Sequence, residues 1–87
     1  MILNRDHLGK IIRLDAPTIV EVPDGVFKEG DILVLFNNTD QSTMVDSQVK
    51  NSYHSSRGEK TKIDFPRKSL LNVVFVADDT VVFTVGL

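Results

Sequence analysis

The stretch from Leu70 to Leu87 leaves this chain the fewest options. It reads Leu-Leu-Asn-Val-Val-Phe-Val-Ala, then Asp78-Asp79, then Thr-Val-Val-Phe-Thr-Val-Gly-Leu. β-Branched and aromatic residues on both sides of a tight acidic turn predict a β-hairpin. Both faces of each strand are apolar. Leu71, Val73, Phe75 and Ala77 oppose Leu70, Val74 and Val76 on the first strand. On the second, Val81, Phe83 and Val85 oppose Val82, with Thr80 and Thr84 beside it. A strand with one wet face alternates apolar and polar residues, so this hairpin needs cover on its second face. In a chain of 87 residues, the expected cover is another copy of the same chain.

Length points to one domain, marginally stable unless it is stapled or oligomeric. The chain has no cysteine, which removes disulfides and thiolate metal sites and leaves packing between subunits as the extra source of stability. A formal charge of −2 is too near neutral to imply a nucleic-acid or membrane partner. Met1 to Gly9 holds Arg5, Asp6 and His7 rather than an apolar signal core. No apolar run approaches the roughly 20 residues a membrane helix needs. Synthesis in a cytoplasm is the expectation.

Residues 1–9 read as an N-terminal arm and residues 10–87 as a single β domain. Ile2, Leu3 and Leu8 are the arm's anchors and, with Arg5, its expected contacts with a neighbour. Strands are predicted at Lys10 to Leu14, Thr18 to Val22, Ile32 to Phe36, Ser42 to Ser47 and Lys60 to Phe65, followed by the hairpin. Between them stand Asp15-Ala16-Pro17, Pro23-Asp24-Gly25, Lys28-Glu29-Gly30-Asp31 and Asn37-Asn38-Thr39-Asp40-Gln41, all with turn chemistry. No window shows helical periodicity free of Gly or Pro. The fold class is therefore all-β, a small antiparallel sandwich or barrel of about seven short strands. Val34, Phe36, Val74, Val76, Val82 and Phe83 are the candidates for core or inter-subunit packing.

Charge is polarised along the chain. Carboxylates dominate residues 1–47, whereas residues 48–69 carry Lys50, Arg57, Lys60, Lys62, Arg67 and Lys68 against Glu59 and Asp64. This basic loop region is expected to touch an acidic neighbour, such as another subunit's first half, since complementary patches set orientation. It lacks the aromatics of a nucleic-acid stacking platform beyond Tyr53.

The remaining motifs read as structure rather than chemistry. His7 and His54 stand alone, short of the three or four ligands a metal needs. Asp78-Asp79, Asp24 and Glu29-Gly30-Asp31 lack calcium-loop spacing and suit turns. Arg57-Gly58-Glu59-Lys60-Thr61 lacks the first glycine and following helix of a phosphate loop. Ser52, Ser55 and Ser56 lie near His54 without an oriented base or oxyanion site. Asn37-Asn38-Thr39 matches a glycosylation sequon, uninformative without a secretory signal. No catalytic residue, metal ligand or cofactor is expected, and the chain is read as a non-enzyme.

Two stretches carry a family resemblance. Val22-Pro23-Asp24-Gly25-Val26-Phe27-Lys28-Glu29-Gly30-Asp31 leads into Ile32-Leu-Val-Leu-Phe36-Asn37-Asn38-Thr39. Later, Val73-Val-Phe-Val-Ala77-Asp78-Asp79-Thr80-Val-Val-Phe83 ends in Gly86-Leu87. Together they resemble small β-structured virion modules of tailed bacteriophages, found as head decoration (cement) proteins and at the C-terminal ends of tail-fibre proteins. Residues 51–69 depart from that pattern, being richer in Lys and Arg and poorer in Gly. The resemblance implies an extracellular, sheet-rich, commonly trimeric module without enzyme activity. The expected function is decoration of the head: a homotrimer clamping major capsid protein subunits through the arm and the basic loop. A short chain starting at Met1 with no stalk-forming segment favours this over a fibre. The alternative is a tail-fibre or receptor-binding tip that recognises host glycans through Asn51, Tyr53 and His54.

Overall fold

The computed structural model describes residues 1–51 and 61–86. Strands form where β-branched and aromatic residues concentrate. They are β1 (Ile11–Leu14), β2 (Ile19–Val22), β3 (Ile32–Asn37), β4 (Thr43–Ser47), β5 (Lys50–Asn51), β6 (Thr61–Phe65), β7 (Leu70–Ala77) and β8 (Thr80–Gly86). Among the described residues the helical content is a single 3-10 turn at Arg5–His7. The turn chemistry works as the sequence suggested. Gly25 sits at φ 77°, in the left-handed region that costs glycine least.

The strands form two sheets, one in the order β1-β3-β7-β8-β5 and the other β2-β4-β6. From β1 to β7 the chain alternates between them, and only the final hairpin keeps two consecutive strands in one sheet. This alternation corrects the antiparallel expectation. The crossings through β2 and through β3 each return the chain in its original direction, so β1–β3 and β2–β4 run parallel, whereas the crossing through β5 returns it reversed. The short β5 also runs parallel to β8, while β3–β7, β4–β6 and β7–β8 are antiparallel. Parallel neighbours need a long crossover, and here a strand of the other layer supplies it. The result is an all-β sandwich rather than a closed barrel.

One apolar core fills the space between the layers. The five-stranded sheet contributes Ile12, Leu14, Leu33, Leu35, Leu71, Val73, Phe75 and Val81, and the three-stranded sheet contributes Val20, Val22, Val45 and Phe65. Loops close the ends. Phe27 reaches in from the β2–β3 connection and lies 5.1 Å from the Phe75 ring, tilted by 36°. Val49 is buried just after β4, where the Ser47 hydroxyl accepts from the Val49 N–H and donates to its carbonyl. A shift in the β7–β8 register between Phe75 and Ala77 leaves Val76 outside the ladder. The acidic turn beyond is pinned by the Glu29 N–H donating to Asp78 Oδ1 at 2.8 Å.

Inner and outer positions therefore alternate along β7, and adjacent residues carry unequal energies. Phe75→Ala is expected to cost about 3–5 kcal/mol, from lost transfer energy and an unfilled cavity. Val76→Ala, on the outside, is expected to cost under about 1 kcal/mol. Urea titration of both variants checks this, and equal losses would contradict the assignment of faces.

Candidate functional site

Each sheet has an outer face that the described residues leave uncovered. On the five-stranded sheet, register sets side chains in rows. Ile32, Val74 and Val82 form one row. Ile11, Val34, Asn72 and Thr84 form the next, and Arg13, Phe36, Leu70 and Gly86 the third. Ile11 is 68% exposed, Ile32 52% and Val76 45%. Among the described residues, ion pairs stand at opposite corners of this face, Arg13 Nε–Asp15 Oδ1 at 2.7 Å and Lys50 Nζ–Asp79 Oδ2 at 3.9 Å.

The candidates for core or inter-subunit packing divide between the two sides of the sheet. Val34, Phe36, Val74, Val76 and Val82 all lie outside the core, on this outer face. Phe83 does pack against the core from its edge. The reason lies in β3. The face carrying Ile32, Val34 and Phe36 is the more apolar one by sequence, yet Leu33, Leu35 and Asn37 point inward. Asn37 is fully buried because its neighbours satisfy it: its amide donates to the Gln41 carbonyl at 2.8 Å, and its Oδ1 accepts from the Thr39 N–H and hydroxyl. A buried amide with these partners carries little penalty. The apparent sequon Asn37-Asn38-Thr39 is thus a turn lock, with its asparagine sealed from any modifying enzyme.

The outer face of the three-stranded sheet is mixed. Ile19 and Met44 pair across β2 and β4, Glu21 stands beside Asp46, Asp46 beside Lys62, and Met44 beside Asp64. The arm extends this sheet. The Met1 ammonium donates to the Ile19 carbonyl at 2.8 Å, the Glu21 N–H to the Met1 carbonyl at 2.7 Å, and the Leu3 N–H to the Glu21 carbonyl at 2.9 Å. Ile2 forms a parallel bridge with Glu21 and stays 61% exposed. Leu3 turns inward to 0% exposure, and Leu8 packs against the same core.

Leu3 and Leu8 are therefore spent on the chain's own interior rather than on a neighbour. Arg5 is also held internally, donating to the Val26 carbonyl at 3.2 Å and to Asp31 Oδ2 at 3.1 Å. His7 accepts the Asn4 N–H at Nδ1 and caps the 3-10 turn. Of the four expected arm contacts, only Ile2 presents an open apolar side chain.

The basic loop does not assemble as one patch. Lys50 lies beside the β7–β8 turn, whereas Arg67 and Lys68 precede β7 at its other end. At about 3.3 Å per residue those ends are roughly 25 Å apart. Lys62 belongs to the outer face of the other sheet. Lys68 is occupied in the turn: it sits at φ 58°, with its N–H on the Asn37 carbonyl and its ammonium on the Asn38 carbonyl and Oδ1. These bonds hold a backbone conformation that non-glycine residues rarely adopt. Arg57, Lys60, Tyr53 and His54 lie outside the described residues, and Asn51 contributes its backbone to β5.

Two expected outcomes follow from the arm. Leu3→Ala should destabilise the fold by about 2–5 kcal/mol, while Ile2→Ala should change it little; chemical denaturation separates the two, and a silent Leu3→Ala would restore the free arm. Asp31 carries the second. The Lys28 N–H, which donates to its Oδ2, holds this carboxyl below its ordinary value of 3.8, with Arg5 adding to the effect and burial opposing it. A depressed folded-state value means the stabilisation is present above pH 3.8 and is lost as pH falls through the lower folded value. Asp31→Asn should therefore be less stable than the parent near neutrality, with the gap closing in acid. A gap that stays constant from neutrality into acid would contradict this.

No family model, curated protein or solved structure matches this chain.

Proposed function

We propose that the chain is a structural, non-catalytic module of a tailed-phage virion, serving to decorate and stabilise the assembled head. The virion setting comes from the resemblance carried by Val22 to Thr39 and Leu70 to Leu87. The attachment is carried by one observation, the mixed outer face of the three-stranded sheet. Ile2, Ile19 and Met44 stand exposed there among Glu21, Asp46 and Asp64, with Lys62 as the one basic side chain of that face among the described residues. Apolar anchors set among carboxylates suit a capsid surface with apolar residues bordered by Lys or Arg.

The sign of the charge complementarity is the reverse of the one expected from the sequence. Acidic strand positions, rather than the dispersed basic residues, make the contact. The mechanism is mass action: a module that binds the assembled shell and not its free subunits stabilises the shell in proportion to its occupancy. Exposed charge pairs at the rim make attachment weaken with salt.

Separating particles into heads and tails and locating the chain by mass spectrometry tests the setting. The chain should travel with heads and be stripped from them by raised salt. Recovery with tails would replace decoration by the fibre-tip role, and absence from both would overturn the virion reading. Met44→Lys combined with Ile19→Lys should abolish head binding while leaving the circular dichroism spectrum unchanged; full retention would overturn the role of this face.

A further inference from the structure

The Pro23-Asp24-Gly25 turn carries chemistry that neither outer face uses. Asp24 and Gly25 are both exposed. Among the described residues, no hydrogen bond engages the Asp24 carboxyl or the Gly25 N–H. Gly25 has no Cβ to screen its nitrogen, and nothing stands within 4 Å of the place a Cβ would take. The carboxyl and the backbone nitrogen that follows it are thus open to each other in a surface connection, where backbone rotation is least restrained.

We infer that the Asp24–Gly25 linkage is a site of spontaneous covalent modification, rearranging from aspartyl to isoaspartyl. The Gly25 nitrogen attacks Cγ of the protonated Asp24 carboxyl. An N–Cγ bond forms, the amide hydrogen and the carboxyl OH leave as water, and a five-membered succinimide closes. Water then adds to either ring carbonyl. Breaking the new N–Cγ bond restores aspartate. Breaking the original bond, between the Gly25 nitrogen and the Asp24 main-chain carbonyl, leaves the chain running through Cβ and Cγ with that carbonyl as a free carboxylate. One water is lost and one regained, so the rearrangement needs no co-reactant and leaves the mass unchanged. It adds one atom to the connection that carries Phe27 into the core beside Phe75.

The fold singles out this aspartate. The carboxyls of Asp15, Asp31 and Asp78 are held by hydrogen bonds, and that of Asp79 accepts from the Thr80 hydroxyl. The nitrogens after Asp6 and Asp40 already donate, His7 to the Asn4 carbonyl and Gln41 to Thr39 Oγ1. Asp46 and Asp64 lie in paired strands, which hold the backbone against the rotation that ring closure needs.

The inference does not depend on the virion reading, and it is tested on the isolated, folded protein. As the chain ages warm at neutral pH, its tryptic peptide of residues 14–28 should split into two chromatographic peaks of equal mass. Electron-transfer fragmentation should place the isoaspartyl linkage at Asp24 and not at Asp15. Asp24→Glu should lose the second peak, because its longer side chain would have to close a six-membered ring. Asp24→Asn, which expels ammonia rather than water, should gain the isoaspartyl peptide sooner. A free peptide of residues 22–28 fixes conditions under which the linkage rearranges. A folded chain that stays unmodified while that peptide rearranges, an isoaspartyl linkage as abundant at Asp15 as at Asp24, or a second peak that survives Asp24→Glu would overturn the inference.

Discussion

Everything in this molecule depends on the contrast between the two sides of β7. Leu71, Val73 and Phe75 press into the core while Leu70, Val74 and Val76 look out, and both sets are apolar. The strand is central, with β3 on one side and β8 on the other, so it has no free edge to soften. The three-stranded sheet seals the inner side. At about 1.5–3 kcal/mol for each fully buried side chain, those inward residues supply much of the net stability available to a domain of this size. Among the described residues, the outer side has no equivalent layer.

The chain reaches this arrangement by alternating between layers. Each of β1 to β6 is followed by a strand of the other sheet, so neither layer exists without the other. The arm takes part in the same construction. Its backbone bonds to β2 and its Leu3 fills the core, which makes residues 1–3 a rim strand of the smaller sheet rather than an appendage. The two layers end up chemically distinct on their outer sides. Among the described residues, one is mainly apolar, with Asn72 and Thr84 in its middle row and ion pairs at its corners; the other mixes apolar residues with carboxylates.

The fold class and the strand positions were legible because β-branched runs and turn residues act locally. Ile32–Asn37, Thr43–Ser47 and the final hairpin fall within a residue of the sequence expectation. Three things were not legible. The parallel pairings were hidden because Pro23-Asp24-Gly25 announces a turn without saying whether it stays in a sheet or crosses to the other. The facing of β3 was hidden because its inward set includes Asn37, whose partners Thr39, Gln41 and Phe65 meet only in the folded state. The burial of Leu3 was hidden because the irregular polarity of residues 1–4 gives no periodic signal. The surface candidates fared unevenly for a related reason: charge counted along a segment says little about space when its residues lie at opposite ends of a strand.

Solvent-paramagnetic relaxation of the valine methyl groups probes the two sides of β7 together. Val73, buried in the core, should be shielded, and Val76, on the outer side, should relax freely. A Val73 as open to the probe as Val76 would contradict a core sealed between the two sheets.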